Sequence, residues 1–238
     1  PGNTPLHFAV RSGNTEIIDI ILKYPQIAEG LILPNKNGNT PFDYAVFFGH
    51  TEIVKTLLKN PQIAASLHLP NEDGNTPLHF AVFFGHTEIV RALLDHQNIA
   101  DSLAPINESG NTSYYPAFYL AIEANHTETV KTLLKYPQIT NNLHLPNEDG
   151  NTPLHFATEA KHTEAVKALL EHPQITKSLH LQNKNGNTPL HLAIQSGNTK
   201  IIEALLGQQN IAASLHLQNK NGDTPLHFAA LLSNVKII

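Results

Sequence analysis

Fifteen histidines in 238 residues are the first chemistry this sequence offers, because imidazole ligates zinc, relays protons and titrates near neutral pH. Five stand in a Thr-Pro-Leu-His word, at His7, His79, His155, His191 and His227. Four precede a threonine, at His50, His86, His126 and His162, and four sit inside Leu-His-Leu, at His68, His144, His180 and His216. Thirteen of the fifteen thus recur with their surroundings and read as scaffold copied with a unit. If neighbouring units pack at ordinary helix distances, equivalent rings lie about 10 Å apart, too far to share a metal with bonds of about 2 Å. The acid pairs Glu72-Asp73 and Glu148-Asp149 would suit acid–base chemistry or a cation site. Both lie in polar turn words, where no burial is available to shift a carboxylate. No GxSxG, P-loop, HExxH or EF-hand loop occurs, so the sequence predicts no catalytic residue, no cofactor and no metal site.

The balance of charge narrows the partners. Fifteen Lys and Arg stand against twenty Asp and Glu, a net charge of -5, which leaves no basic field to draw in nucleic acid. Cysteine is absent, which removes disulfides and thiol chemistry and fits a reducing compartment. No run reaches the roughly 18 apolar residues of a membrane span, while 41% hydrophobic content suffices for a continuous core. The expectation is a cytoplasmic protein and a monomer.

The elements that would position these residues follow from a repeat. The threonine opening each Thr-Pro-Leu-His-like word falls at Thr4, Thr40, Thr76, Thr112, Thr152, Thr188 and Thr224. The spacing is 36 throughout, save 40 after Thr112. Residues 67–81 and 143–157 are identical, LHLPNEDGNTPLHFA, as duplication produces. Units start near 1, 35, 71, 107, 147, 183 and 219, with a four-residue insertion at 113–116, and 1–238 reads as one array. In the third copy, residues 71–75 form a turn in which Gly74 supplies positive φ. Thr76 then caps a helix that Pro77 starts. Leu78, Ala81 and Val82 make its apolar stripe, and Gly85 ends it. A second helix begins near Thr87-Glu88 and buries Ile89, Val90, Leu93 and Leu94. Such a unit cannot bury its apolar face alone, so copies must stack into an all-α solenoid.

The stretch TPLHFAVFFGHTEIVRALL at 76–94 resembles the ankyrin repeat in its T-P-L-H-x-A word and its helix-turn-helix. The resemblance covers essentially the whole chain, although the usual period is about 33. Words such as Asn60-Pro61-Gln62-Ile63-Ala64-Ala65-Ser66-Leu67 hold the extra residues and predict an added helical turn on the outer side, with Asn60 as cap and Ile63 and Leu67 on one face. The sequence opens inside a turn and closes on Val235-Lys236-Ile237-Ile238 as a second helix begins, so the array is expected to continue beyond both ends. The resemblance implies a buried histidine linking the capping threonine to the next turn. It also implies a non-catalytic module that binds a protein through a concave groove and its turn tips. Arrays with near-identical copies are also similar to those in effectors that intracellular bacteria deliver, which would place the chain in a host cytoplasm. The alternative reading is the substrate-docking arm of a larger enzyme or effector.

Positions that vary between copies are free for recognition. The residue after the histidine is always large (Phe8, Tyr44, Phe80, Leu120, Phe156, Leu192, Phe228) and is expected in the core. Three residues on, the pairs differ: Arg11-Ser12, Phe47-Phe48, Phe83-Phe84, Glu123-Ala124, Glu159-Ala160, Gln195-Ser196 and Leu231-Leu232. Off the apolar stripe, Phe47, Phe48, Phe83 and Phe84 form a candidate contact patch. Glu72, Asp73, Glu108, Glu148 and Asp149 at turn tips, with Glu123 and Glu159 on the helices, make the middle acidic. A protein or peptide segment with apolar and basic residues is the complementary partner. In the fourth copy, NTSYYPAFYLA replaces the usual word. Pro116 is expected to start its helix, Tyr119 to replace the histidine, and the insertion to enlarge a loop that presents Tyr114 and Tyr115 for contact.

Overall fold

The computed structural model describes residues 2–96, 114–141, 143–147 and 149–231, and side chains 114–116 fall outside that description. Among the described residues every regular element is a helix. The chain divides into two compact units, Pro1–Leu120 and Ala121–Ile238. The repeat words explain the elements. Each Thr-Pro pair opens a first helix of two turns: Pro5–Arg11, Pro41–Phe47 and Pro77–Phe83 in the first unit, then Pro153–Glu159, Pro189–Ser196 and Pro225–Leu231 in the second. Proline sits at the first helical position, where its missing N–H is no loss. Second helices begin at the predicted threonines, as in Thr87–Leu94 and Thr163–Leu170. Most copies then turn once more, at Pro25–Ala28, Pro61–Ser66, Pro137–Thr140 and Pro173–Thr176. Ile63, Leu67, Ile175 and Leu179 are buried there, so the three residues beyond the usual period buy an extra apolar turn.

Within the first unit, helices of like position pack against each other: Pro5–Arg11 on Pro41–Phe47 on Pro77–Phe83. Leu78, Ala81, Val82, Ile89, Val90, Leu93 and Leu94 are buried as the spacing predicts. The second unit repeats the pattern, with Leu154, Ala157, Val166, Leu169, Ile201 and Leu205 closed off from solvent. The residue after each histidine is not core. Only Leu192 is buried, while Phe8 is 54% exposed and Phe80 half-buried. That position lies between the apolar stripe and the open face, so its ring covers the stripe from outside.

Turns bond to turns. Asn35 Oδ1 accepts from the N–H groups of Asn37 and Asn39, and Asn71, Asn147, Asn183 and Asn219 repeat that wrap. The spare amide nitrogen then reaches one copy back. Asn71 Nδ2 donates to Asn39 Oδ1 at 2.8 Å, and Asn183 Nδ2 donates to Asn151 Oδ1 at 3.0 Å. Backbones join as well, with Lys220 N–H donating to Asn185 O at 3.0 Å and Glu72 N–H to Asn37 O at 3.1 Å. Such contact demands glycine. Gly186 has φ 76°, and a Cβ there would lie 2.7 Å from Lys220 N.

The insertion folds differently from the loop expected of it. The helix runs Tyr114–Glu123, ten residues long against seven in its neighbours. Residues 114–116 therefore extend the helix toward its N-terminus, and Pro116 is its third residue, not its starter. The first four N–H groups of a helix lack internal partners, so proline is tolerated there. Phe118, now fully buried, fills the place of the usual leucine.

Two positions where other copies have glycine hold a non-glycine residue at positive φ, Asn125 at 55° and Lys161 at 61°. Lys161 closes the fifth copy's first helix, where copies two and three use glycine. Lys161→Gly is expected to raise stability by about 1 kcal/mol in urea unfolding. Gly186→Ala, which meets both positive φ and a backbone nitrogen, is expected to lower it by more than about 1 kcal/mol.

Candidate binding face

The recurring histidines are structural bridges. In the first, fifth and sixth copies, Nδ1 accepts the N–H of the capping threonine, Thr4, Thr152 or Thr188, at 3.1 to 3.2 Å. An accepting Nδ1 leaves the ring proton on Nε2, which donates to a carbonyl in the next copy's turn. His7 reaches Asn39 O at 2.9 Å, His155 reaches Asn187 O at 3.1 Å, and His191 reaches Asp223 O at 3.1 Å. A second proton would face the threonine N–H, so the ring must be neutral. Burial enforces this, lowering His79 and His191 and pushing His155 down to about 4. His50 and His86 bridge the other way, donating from Nε2 to Arg11 O and Phe47 O at the end of the preceding copy's first helix. No group of three His, Asp or Glu among the described residues could hold a metal ion.

The second copy breaks the bridge. Its word is Thr40-Pro41-Phe42-Asp43, with a carboxylate where the imidazole belongs. Asp43 Oδ2 keeps the near half, accepting from Thr40 N at 2.7 Å and Thr40 Oγ1 at 2.8 Å. The side chain is too short for the far half, so Oδ1 takes no hydrogen bond and the residue is 8% exposed. Desolvation outweighs the Thr40 hydrogen bonds and raises the Asp43 pKa from 3.8 to about 6. Asp43 is not among the residues expected to bind, and the signal that marks it in the sequence is its change of type at the histidine position.

Above Asp43 the phenylalanines meet. Phe47, Phe48, Phe83 and Phe84 are 37–51% exposed. Phe47 contacts Phe48 at 5.0 Å between ring centroids, Phe84 at 4.6 Å and Phe80 at 5.9 Å, and Phe83 contacts Phe84 at 5.0 Å. Edge-on pairs of this kind contribute about 0.5–1.5 kcal/mol beyond their area. Arg11 lies 5.5 Å over the Phe48 ring. Of these, Arg11, Phe47, Phe48 and Phe80 line a cleft of about 370 Å³ with Asn39, Asn71 and Asp73.

The remaining sequence-derived candidates are scattered. Glu72 and Asp73 are exposed on the first unit's turn, and Asp73 lines the cleft. Glu123, Asp149 and Glu159 are exposed in the second unit, where Asp149 and Glu159 border another cleft of about 660 Å³ with Lys184. Glu108 and Glu148, and the side chains of Tyr114 and Tyr115, lie outside the described residues.

Stacked two-helix copies, bonded turns and a variable outward face define a helical repeat protein. Matches to the family described as Ankyrin repeats (3 copies) span residues 1–66, 62–142, 103–179 and 172–238. The chain belongs to the ankyrin-repeat family. It is similar to the ankyrin repeat domain of Bcl-3, described as a unique member of the IkappaB protein family, with 26% identity, TM-score 0.72, and 95% of this chain covering 94% of that one. It is similar also to the human ASB11 ankyrin repeat domain, at 25% identity and TM-score 0.66, with 95% and 91% of the two chains covered. The ankyrin repeat protein EF0377 matches at 25% identity and TM-score 0.68, over 86% and 97%. No curated protein sequence matches. Domains of this family are in general protein–protein interaction modules.

The pKa shifts give opposite signs with pH. Asp43 binds its proton more tightly folded than unfolded, so its contribution to stability is full below about 3.8 and is lost as pH rises through about 6. His155 binds its proton less tightly when folded, so its contribution is present above 6.5 and lost as pH falls through about 4. Asp43→Asn removes only the first. The variant is expected to be more stable than the parent by about 3 kcal/mol at pH 7.5, with the difference vanishing at pH 4, in paired urea titrations.

Proposed function

We propose that this chain is a non-catalytic module that binds a protein segment on the face carrying Phe47, Phe48, Phe83 and Phe84. One observation carries the reading: four connected, half-exposed phenylalanines stand on two consecutive copies, off a core already closed by Ala45, Val46, Ala81 and Val82. Contiguous exposed apolar surface of this kind marks interaction sites, and aromatic residues are enriched at their centres. Asp73 borders it and Glu72 is exposed on the same turn, so Lys or Arg beside the partner's apolar anchors is complementary. In the second unit, taken by itself, Glu123, Asp149 and Glu159 are exposed acids that suit a basic partner segment in the same way. On sequence grounds Glu108, Tyr114 and Tyr115 are further contact candidates of the first unit, and Glu148 of the second. Among the described residues no helix is long and apolar enough to cross a membrane, and with the absence of cysteine this supports a cytoplasmic setting.

Selection of random dodecapeptides on the purified chain tests the reading. Enriched peptides are expected to pair an aromatic or aliphatic anchor with Lys or Arg. Phe48→Ser combined with Phe84→Ser is expected to weaken them more than roughly tenfold while the melting temperature moves by only a few degrees. Unaltered binding by a folded double variant sinks the proposal, and an unfolded one shows that the rings serve packing.

A further inference from the structure

The floor of the first unit's cleft differs from its equivalent in the second. Both use matching positions along the turns and helices: Asn39, Tyr44, Phe47, Asn71 and Phe80 in one, and Asn151, Phe156, Glu159, Asn183 and Leu192 in the other. His155 is absent from the second lining because its ring is spent between Thr152 and Asn187 O. Asp43, at the corresponding place, lines the first cleft and presents an oxygen without a hydrogen bond. Asp73 adds a second carboxylate from the next turn, and Tyr44, Phe47, Phe48 and Phe80 supply ring faces. Among the described residues no lysine or arginine forms an ion pair with Asp43, whereas Arg11 lies over the Phe48 ring. The walls therefore accept a cation's charge, and the floor has none.

We propose that this cleft is an anchor pocket for a cationic side chain, arginine or lysine, of the bound protein segment. The inference deepens the docking reading and rests on it, adding the residue that sets specificity. Thr40 satisfies only Oδ2 of this buried carboxylate, and a cationic donor at Oδ1 offsets the cost of burying its charge while the rings cover the alkyl stem and attract the charge. Guanidinium can serve Asp43 and Asp73 together, since its donors fork. Arg11 opposes entry by like charge and must swing aside or share the Phe48 ring.

The probe is n-butylguanidinium, with neutral n-butylurea as control, titrated into the intact chain and followed by amide NMR shifts. Butylguanidinium is expected to shift Asp43, Tyr44, Asn71 and Phe80 saturably, and butylurea to leave them still. Asp43→Asn keeps an oxygen for Thr40 and is expected to bind roughly tenfold more weakly. Asp43→His rebuilds the bridge to the next turn and is expected to abolish binding. Arg11→Ala is expected to tighten it severalfold. Equal shifts with butylurea, or undiminished binding by a folded Asp43→Asn variant, overturn the pocket. The two readings also fail separately. Selected peptides rich in apolar residues but indifferent to Lys and Arg overturn the anchor and leave the docking face standing, whereas a face that enriches no peptide removes the docking reading itself.

Discussion

One neutral imidazole holds two copies of this repeat together. It accepts from the threonine that caps its own helix and donates to a carbonyl in the following turn. Both halves need the same tautomer, so the ring is at once a helix cap, a spacer and a polarity check between neighbours. The packing around it depends on that register. A copy has too little apolar surface to fold alone, and only correctly spaced neighbours close its core. The asparagine wrap adds a second ladder at the turn tips, and His50 and His86 a third at the far ends of the first helices. Burial supplies the driving force and these bonds choose the spacing, because a buried polar group left unpaired costs about 1–3 kcal/mol.

Where that bridge is broken, the scaffold gains a property. Asp43 caps its helix as the histidine does, yet stops short of the next turn, and its ionised form is held in a place built for a neutral ring. Asp43 lines a cleft that shares Phe47 and Phe48 with the aromatic cluster, on the face where a partner is proposed to dock. The same logic applies to the orphan hydroxyl of Thr158, buried where the third copy has Val82, a substitution that nothing in the structure explains. Departures from a repeat are informative in proportion to what surrounds them. A lost bridge beside four phenylalanines makes a site, and a lost methyl in a closed core makes only a small strain.

Sequence alone determined the repeat, its helices, its buried stripes and the family. Those follow from period, punctuation and residue type, which are local and recur often enough to be read without coordinates. It also placed Phe47, Phe48, Phe83 and Phe84 off the core, since helical geometry assigns faces directly. Tertiary structure decided what depends on neighbours 32 to 39 positions away. Only packing showed that the insertion before Ala117 lengthens a helix, because Pro116 in a first turn is as permissible as Pro116 before one. Only the stacked turns showed the asparagine ladder, whose amides look like ordinary turn residues in the one-dimensional chain. Only the missing reach from residue 43 to the next turn showed a cleft floored by a carboxylate, because a side chain's length has meaning only against the distance it must span.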